Sequence, residues 1–475
     1  MNFETYVRRV GAKERTELIS SLYRTFIAIV GVCASVGAPL VVPASAQQSS
    51  DRQVWRQEYE ARIQATLERR LKQRPTFAED ALTTHPDFIA YVPKVDVDAL
   101  GDCYNDHFQV FTGIDGTYFA TVCQATCEGS LDQHVAFLKS VDGGKTWSSP
   151  RVLVGPKNFK DDVPIASWGF PMVSKSGRIY VIYNQYQDGK VSTNRQHTGL
   201  MMGTYSDDQG ETWSEPQLIF QPRTKNDSPD ASIPPEWVVW QRPTRLGENG
   251  KYLVGMTRYA PPQLHNKYRT VVEFMRFENI DDDVEPKDLV VKWFMSNDNV
   301  LSVGAYCEEP SIVKLPDGRL FTLLRTGIGR VCWSVSSDQG ETWSRPEILL
   351  NRDGGEPFAH PLSPCPIYDW KGETAGSGFY FAFIHNAFDF NDSNPWQNRG
   401  PLYLIAGTYQ ANAKQPIWFG EPQQFTNRPS GNSFYTSVTQ TPDGKTILWY
   451  PDQKFYLLGR FIGEEFFENA PPLRR

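Results

Sequence analysis

Three aspartates stand at the same position of a repeated eight-residue frame, Ser-x-Asp-x-Gly-x-Thr-Trp. They are Asp142 in SVDGGKTW, Asp208 in SDDQGETW and Asp338 in SSDQGETW. A repeated carboxylate suggests acid–base chemistry, but an aspartate shortly before a glycine also closes a turn by accepting backbone N–H groups. The glycine adopts a positive φ at little cost, and the tryptophan returns the chain to an apolar layer. We therefore interpret the three aspartates as structural.

Cysteines offer a second kind of chemistry, because thiolates bind metals and form disulfides. After Cys33 the chain contains six of them: Cys103, Cys123, Cys127, Cys307, Cys332 and Cys365. The spacing of Cys123 and Cys127 suits a metal site, but no cluster of histidines accompanies the pair. We predict neither a metal nor a cofactor. An even number of cysteines in an exported chain predicts one to three disulfides.

The repeated frame indicates the architecture that positions these residues. Its three copies begin 66 and 130 residues apart, so the frame marks a unit of roughly 65 residues that is skipped once. A second pattern, in which a strand, a glycine turn and an apolar strand follow one another, occurs six times. These segments are 106–122, 169–183, 241–256, 308–324, 360–384 and 434–450. Units that stack radially hide their edges. The sequence therefore predicts an all-β fold, a six-bladed β-propeller over residues 95–470.

The region before the propeller has a different character. Basic residues precede the apolar run FIAIVGVCASVGAPLVV (26–42), and ASA (44–46) offers a cleavage site. We predict a signal peptide at 1–46 and export to the periplasm or the exterior. An uncleaved membrane anchor is the alternative, since the run is near spanning length. Residues 47–94 are predicted to form a helical extension, with one helix at 51–74. The net charge of −7 gives no indication of nucleic-acid binding.

The eight-residue frame resembles the Asp-box of the sialidase (neuraminidase) superfamily, whose propellers also have six blades. The resemblance covers about residues 95–460. EEPSIVKLPDGRLFTLLR resembles the segment in which a glutamate precedes a strand and an arginine follows 16 residues later, here Glu309 and Arg325. NRGPLYLIAG and FYTSVTQTPDGKTILWYPD resemble the segments that carry another carboxylate-binding arginine and the tyrosine nucleophile, here Arg399 and Tyr435. Asp132 precedes the first Asp-box, where sialidases hold the acid/base aspartate.

This resemblance implies an exo-acting glycoside hydrolase whose partner is a carbohydrate, from which it would cleave a terminal acidic sugar. Tyr435 would be the nucleophile and Glu309 its base, while Asp132 would protonate the leaving oxygen and later activate water. A neutral tyrosine suits an anomeric carbon that bears a carboxylate, because a carboxylate nucleophile would be repelled there. Arg325 and Arg399 would bind the sugar carboxylate. No nucleic acid and no membrane contact beyond the signal segment are expected.

One position departs from the sialidase pattern. The first blade lacks the arginine of the Phe/Tyr-Arg-Ile-Pro motif, and YNDHFQVF (104–111) stands in its place. Arg242, directly before Pro243 in the third blade, has nearly the local setting of the missing residue. We predict that Arg242 joins the two arginines above around the ligand. Asp106 and His107 are predicted to occupy the vacated corner and to contact hydroxyl groups of the substrate.

Each candidate also has a structural alternative. Arg325 would instead form an ion pair with Glu308 or Glu309, and Arg242 would pair with Glu236. Asp132 would cap a loop, Tyr435 would be an aromatic residue of a strand, and Arg399 would be a surface charge. The structural alternative for the histidines is a hydrogen-bonded place in the scaffold: His107, His360 and His385. Trp168 and Trp240 suit either sugar stacking or core packing. Two other functions stay open: a non-catalytic propeller that binds glycan or protein, and a polysaccharide lyase using tyrosine and histidine. The enzyme is favoured, because a binding module has no need of a nucleophile with its base.

Overall fold

A computed structural model gives the architecture of the chain. It describes residues 61, 64–72, 84–95, 101–157, 161–187, 190, 194–265, 267, 269–371, 377–385, 399–426 and 435–474. The predicted signal peptide at 1–46 lies outside these residues. The strands of the described part form six separate antiparallel sheets of four or five strands each. The prediction of an all-β, six-bladed β-propeller is therefore confirmed.

Each sheet is one blade, numbered here in chain order. The first contains β2 (Tyr104–Thr112), β3 (Tyr118–Ala125), β4 (His134–Ser140) and β5 (Arg151–Val154), and the second β6 (Ala166–Val173), β7 (Ile179–Tyr186), β8 (Gly199–Ser206) and β9 (Gln217–Leu218). The third contains β10 (Trp237–Val238), β11 (Thr244–Leu246), β12 (Lys251–Tyr259), β13 (Thr270–Phe277) and β14 (Val291–Phe294). The fourth contains β15 (Cys307–Lys314), β16 (Leu320–Thr326), β17 (Cys332–Ser336) and β18 (Glu347–Ile348).

The fifth blade contains β19 (Ile367–Asp369), β20 (Phe379–His385), β21 (Leu402–Tyr409), β22 (Ile417–Phe419) and β23 (Gln423–Thr426). The sixth contains β24 (Ser437–Gln440), β25 (Thr446–Asp452), β26 (Tyr456–Ile462) and, from the start of the chain, β1 (Phe88–Tyr91). Short 3-10 helices lie at Pro262–Leu264, Ile280–Asp282, Pro286–Asp288 and Glu464–Phe467.

Strand β1 closes the ring, because it adds an N-terminal strand to the last blade. It pairs antiparallel with β26, and the Phe88 ring packs 5.3 Å from the buried ring of Trp449 on β25. The sequence interpretation had placed 88–91 in the helical extension. The strand was missed because only four residues form it, too few to show the alternation of a half-buried strand.

The three Asp-box turns join the third and fourth strands of blades one, two and four. In the first, Asp142 accepts the backbone N–H of Thr146 at 2.9 Å and the Ser140 hydroxyl at 2.9 Å. Gly144 has a φ of 88°, and a side chain there would meet the ring of Trp449 in the neighbouring blade. The turn thus closes its own loop and packs against the preceding blade, as its structural interpretation requires.

The six cysteines after Cys33 are buried free thiols, so the prediction of disulfides is wrong for the described residues. Their neighbours explain why. Cys123 packs with Tyr104 and Val135, whereas Cys365 packs with Ile367 and Val331 in another part of the ring. These cysteines act as small apolar side chains of the core. No cluster of three or more possible metal ligands occurs within the described residues.

The helix predicted before the propeller is present in its described part, residue 61 and residues 64–72. Leu67 packs against the apolar cluster between blades five and six, and the Arg70 guanidinium lies 4.3 Å from the centre of the Phe455 ring. The helix therefore lies against the turn between β25 and β26. Among the described residues no helix is long and apolar enough to cross a membrane.

Candidate active site

A cavity of about 430 Å³ opens where the inner strands of several blades begin. Its lining comes from all parts of the ring and is rich in charged and aromatic side chains. The residues are Glu128, Trp168, Asn194, Gln196, His197, Val238, Tyr259, Ala260, His265, Arg269, Tyr306, Glu308, Glu309, Arg325, Arg399, Tyr435 and Lys454. Four of the predicted site residues, Glu309, Arg325, Arg399 and Tyr435, are among them.

Tyr435 and Glu309 form a hydrogen-bonded pair at the floor of this cavity. The Tyr435 hydroxyl donates to Glu309 Oε1 at 2.6 Å, and Arg325 Nη1 donates to Glu309 Oε2 at 2.7 Å and to the Tyr435 oxygen at 3.1 Å. All three side chains are buried. Burial, reinforced by the charge of Glu309, raises the pKa of Tyr435 well above its usual value. The phenol is therefore neutral at rest and has a carboxylate in place to receive its proton.

A shared backbone distortion aims residues at the cavity. The inner strands of blades one, two and four each carry a bulge, after Asp106, Ser167 and Glu308. The next residue has a positive φ in each case: 57° at His107, 58° at Trp168 and 48° at Glu309. Such a conformation costs about 1–3 kcal/mol for a residue with a side chain and is typical of functional sites. In blades two and four it brings Trp168 and Glu309 to the cavity wall.

Arg325 and Arg399 place two guanidinium groups in one buried region. Arg325 is paired with Glu309 and, through Nε at 3.2 Å, with Glu308. Burial raises the pKa of Glu308, although Arg325 opposes the shift. Arg399 donates to the Leu362 carbonyl at 3.1 Å, and its pKa is lowered by burial and by the charge of Arg325. Burial opposes the charge of Arg325, but Glu309 and Glu308 together raise its pKa well above the usual value. An anion bound beside Arg399 would offset the charge of Arg325 that acts on Arg399.

Lys454 supplies a further cation from the turn between β25 and β26. Its Nζ lies 3.0 Å from Asp106 Oδ2 and 3.0 Å from Glu128 Oε2, and 5.6 Å from the centre of the Tyr435 ring. Burial is the largest single effect on Glu128 and opposes its ionisation, but the charge and hydrogen bond of Lys454, a hydrogen bond from Gln196 and the charge of Arg399 together lower the pKa of Glu128 to about 2. Burial raises the pKa of Asp106 to about 6 despite the same lysine.

Aromatic rings form one side of the cavity. The His197 ring stacks on Tyr259 with centroids 4.2 Å apart, and the indole N–H of Trp168 donates to the Gln196 carbonyl at 2.7 Å. The Trp240 ring packs 5.7 Å from that of Tyr435 but does not line the cavity. Trp168 therefore lines the cavity, whereas Trp240 belongs to the core beside Tyr435.

Residues 116–448 match the model of the BNR repeat-like domain, which covers most of the propeller. The chain belongs to this family. The resemblance of the sequence to the sialidase superfamily is thereby confirmed at the level of family and fold.

Individual relatives of this BNR-repeat chain are distant. A segment of 151 residues is 30% identical to the anhydrosialidase of Macrobdella decora, covering 31% of this chain but only 16% of that protein. The intramolecular trans-sialidase of Ruminococcus gnavus, solved with oseltamivir carboxylate, superposes with a TM-score of 0.59 at 16% identity, over 81% of this chain and 99% of that one. The leech intramolecular trans-sialidase, solved with 2,7-anhydro-Neu5Ac, gives a TM-score of 0.55 at 17% identity, over 79% and 71%. These structures share the fold.

The structure does not place Asp132 of the BNR propeller at the cavity. The carboxylate is fully buried and accepts the Thr126 backbone N–H at 3.0 Å, the Thr126 hydroxyl at 2.7 Å and the Ser130 hydroxyl. This is the loop cap that stood as its structural alternative. Burial raises the pKa of Asp132 to about 6. Glu128, four residues earlier in the same loop, is the carboxylate that reaches the cavity.

Arg242 is also not brought together with Arg325 and Arg399. Its Nη1 donates to the Val110 carbonyl at 2.9 Å, and it lines a separate cavity of about 180 Å³. That cavity is bounded by Ile312 and Ser437, which lie farther along the inner strands than Glu309 and Tyr435, so it is separate from the candidate active site and farther from its mouth. The proline after Arg242 resembles the missing motif, but the strand interruption between β10 and β11 shifts the arginine away from the site mouth.

Asp106 and His107 lie behind the cavity wall. Both are fully buried, and neither lines the cavity. Asp106 binds Lys454 instead of a substrate hydroxyl, and burial lowers the pKa of His107 to about 3. The vacated corner of the first blade is thus occupied by the ammonium group of Lys454. Sequence reasoning missed Lys454 and Glu128, because neither belongs to a motif and the positive φ values of Gln453 (56°) and Lys454 (51°) that aim the lysine inward leave no glycine signature.

Proposed function

We propose that the chain is a glycosidase of the sialidase type that removes a terminal sugar bearing a carboxylate on its anomeric carbon. The observation that carries this proposal is the Tyr435–Glu309 hydrogen bond of 2.6 Å at the floor of a cavity that also contains Arg325 and Arg399. A tyrosine with its own base is a nucleophile, and adjacent guanidinium groups bind a carboxylate.

The chemistry proceeds through a covalent intermediate on Tyr435. The Tyr435 oxygen attacks the anomeric carbon while Glu309 takes the phenolic proton, and the bond to the leaving oxygen breaks. The neutral phenol avoids the repulsion that a carboxylate nucleophile would meet from the substrate carboxylate, which is why sialidases depart from the two-carboxylate scheme. In the second step, water or a hydroxyl of the same sugar attacks the intermediate, and the tyrosine recovers its proton from Glu309.

The substrate carboxylate binds at Arg325 and Arg399, with Lys454 nearby as a third cation. Arg325 also contacts both Tyr435 and Glu309, so the clamp and the nucleophile are held by one side chain. Among the lining residues, the four cations Arg269, Arg325, Arg399 and Lys454 exceed the three carboxylates Glu128, Glu308 and Glu309 by one formal charge. An arriving carboxylate would offset the repulsion that Arg325 exerts on Arg399, while the net charge of the lining stays small.

Glu128 is the carboxylate that we assign to proton transfer with the leaving oxygen, the role that the resemblance gave to Asp132. Lys454, with Gln196 and Arg399, keeps Glu128 ionised. A substrate carboxylate that interacts with Lys454 adds negative charge beside Glu128 and raises the pKa of Glu128. Binding of the substrate thus prepares the acid form, and departure of the leaving group restores the base that activates water.

A panel of aryl glycosides tests the proposal directly. The panel contains N-acetylneuraminic acid, its deaminated analogue, uronic acids and neutral sugars, and we expect turnover of a 2-keto acid sugar alone. Tyr435→Phe should remove most turnover while the protein stays folded, and a fluorinated analogue of the active sugar should label Tyr435. Labelling of a carboxylate, or preference for a neutral sugar, would contradict the proposal. Binding without turnover by the wild-type protein would favour a glycan-binding propeller instead.

The products distinguish two outcomes within this proposal. The relatives named above include an anhydrosialidase and intramolecular trans-sialidases. If a sugar hydroxyl completes the second step here, the product is an anhydro sugar, whereas water gives the free sugar. Mass spectrometry separates the two products by the mass of one water molecule.

A further inference from the structure

A second cavity adjoins the candidate active site and is built in part by the N-terminal helix. Its volume is about 520 Å³. Its lining combines one face of the helix with the first and sixth blades: Ala65, Thr66, Arg69, Arg70, Cys103, Tyr104, Thr126, Cys127, Glu128, Gln453 and Lys454. Glu128 and Lys454 line both cavities, so this ion pair forms the wall between them.

The helix is fixed to that wall by Arg70. The Arg70 guanidinium donates to the carbonyls of Gln453 at 3.0 Å and Lys454 at 3.5 Å, and it packs over the ring of Phe455. Asn105 on β2 donates its backbone N–H to the Lys454 carbonyl at 2.8 Å from the other side. These contacts hold Gln453 and Lys454, which both have a positive φ, in place. The helix therefore forms one wall of the second cavity.

The exposed polar groups of the cleft suit a hydroxyl-rich ligand. Arg69 is exposed and makes no hydrogen bond or ion pair with any other described residue. Thr66 and Gln453 add a hydroxyl and an amide, and the ring of Tyr104 lies below the ammonium group of Lys454 at 5.4 Å. Guanidinium, amide and hydroxyl groups around an aromatic floor are the groups that bind saccharides.

We propose that this cleft binds the saccharide on the leaving-group side of the bond that is cleaved. The inference rests on the proposed function, in which Glu128 exchanges a proton with the leaving oxygen. A group bonded to that oxygen must continue past Glu128, and the second cavity begins on the far side of the same residue. The N-terminal helix, which is outside the propeller, would therefore select oligosaccharide substrates over simple glycosides.

Two tryptophan variants on the helix test this subsite. Ala65→Trp places an indole in the cleft, whereas Gln64→Trp puts the same side chain at an exposed position that does not line it. For each full-length protein we would measure kcat/KM on 3'-sialyllactose and on an aryl sialoside with a one-ring leaving group. Saturation-transfer NMR with lactose alone would report binding of the leaving group without catalysis, and circular dichroism would report folding. If Ala65→Trp fails to fold, Arg69→Ala replaces it.

We expect Ala65→Trp to lower kcat/KM on 3'-sialyllactose by about tenfold or more, the size of one lost hydrogen bond to a charged group. The kcat/KM of Ala65→Trp on the aryl sialoside should differ from that of the wild type by less than about twofold. Saturation transfer from this variant to lactose should be lost. Gln64→Trp should resemble the wild type in all three measurements. Equal losses on both substrates, no loss on either, or no saturation transfer from the wild-type protein to lactose would overturn the subsite. If neither substrate is turned over but lactose binds and Ala65→Trp removes that binding, the subsite stands and the proposed reaction on sialic acid fails.

Discussion

Glu128 and Asp132 lie four residues apart in one loop. Comparison of the variants Glu128→Gln and Asp132→Asn will show which of the two carboxylates exchanges a proton with the substrate. Glu128→Gln keeps the shape of a side chain that is 39% exposed and removes one of the two carboxylates on Lys454. Because that pair is partly solvated, its loss should change the free energy of unfolding by less than about 1 kcal/mol. General acid–base catalysis is worth about 10²- to 10⁴-fold, and kcat should fall within that range.

Asp132→Asn should behave in the opposite manner. The amide nitrogen would face the Thr126 or Ser130 donors, so the loop loses an accepting atom, while the cavity is unchanged. We expect kcat of the folded variant to remain within about fivefold of the wild type, well below the contribution of a general acid.

The pH dependence of stability provides an independent check on Asp132. A pKa raised from 3.8 to about 6 means that the folded state retains a proton that the unfolded state has lost, which corresponds to about 3 kcal/mol. This stabilising contribution is complete below about pH 4 and is lost as the pH rises through about 6. The wild type should therefore lose stability relative to Asp132→Asn across that interval.

The assay is initial-rate kinetics on the active aryl glycoside and on one substrate with a poor leaving group, combined with urea unfolding at pH 4, 5, 6 and 7. Glu128→Gln should impair the poor leaving group more, because that substrate depends most on protonation. Our assignment would be refuted if Asp132→Asn lost catalysis by 10²-fold or more while Glu128→Gln retained it.

Three further predictions concern other parts of the molecule. Asp208→Asn should lower the melting temperature by a few degrees and leave kcat of the folded protein nearly unchanged, since the carboxylate only accepts hydrogen bonds from its own turn; a loss of kcat at unchanged stability, seen by calorimetry and kinetics, would contradict this. Arg242→Ala should leave kcat/KM on an anionic glycoside within about twofold, because the side chain lines a cavity separate from the candidate active site. A loss of tenfold or more would show that Arg242 belongs to the ligand site. Lys454→Met should weaken a carboxylate inhibitor such as oseltamivir carboxylate by about tenfold or more in isothermal titration calorimetry of the folded variant, since it removes the cation that pairs with Glu128 and Asp106. Unchanged affinity would exclude Lys454 from the ligand site.

The fold was predictable because its signals are local and repeated. Each Asp-box specifies a turn through residues that are at most seven positions apart, and its glycine meets a side chain of the preceding blade. The Tyr435–Glu309–Arg325 cluster was predictable for a related reason. Glu309 lies near the start of the inner strand β15, Tyr435 lies just before the inner strand β24, and Arg325 lies near the end of the second strand β16. The propeller brings these strand ends to a common mouth.

The errors arose where a local signal was separated from its tertiary setting. The cysteines are even in number, but all six are buried as free thiols in the core, and an even number carries no information on which cysteines can be bonded. Arg242 precedes a proline, as the missing arginine would have, yet the break between β10 and β11 moves it along the channel. Asp132 has the expected distance in sequence from the first Asp-box, but the loop turns its carboxylate inward onto Thr126.

Lys454 shows how a propeller can replace one cation by another from a different blade. The first blade has Asp106 and His107 where an arginine was expected, and an uncompensated Asp106 would be costly in a fully buried position. The lysine reaches it from the β25–β26 turn, and the same ammonium group holds Glu128 at the cavity. Asp106, which stands where sialidases would have an arginine, thus binds the ammonium group of Lys454, the cation that replaces that arginine. Because the turn depends on Arg70 of the N-terminal helix, the charge of the site is coupled to a segment outside the propeller. Sequence comparison restricted to the six blades would miss this coupling, since the residue that positions the lysine lies more than 380 positions away in the chain.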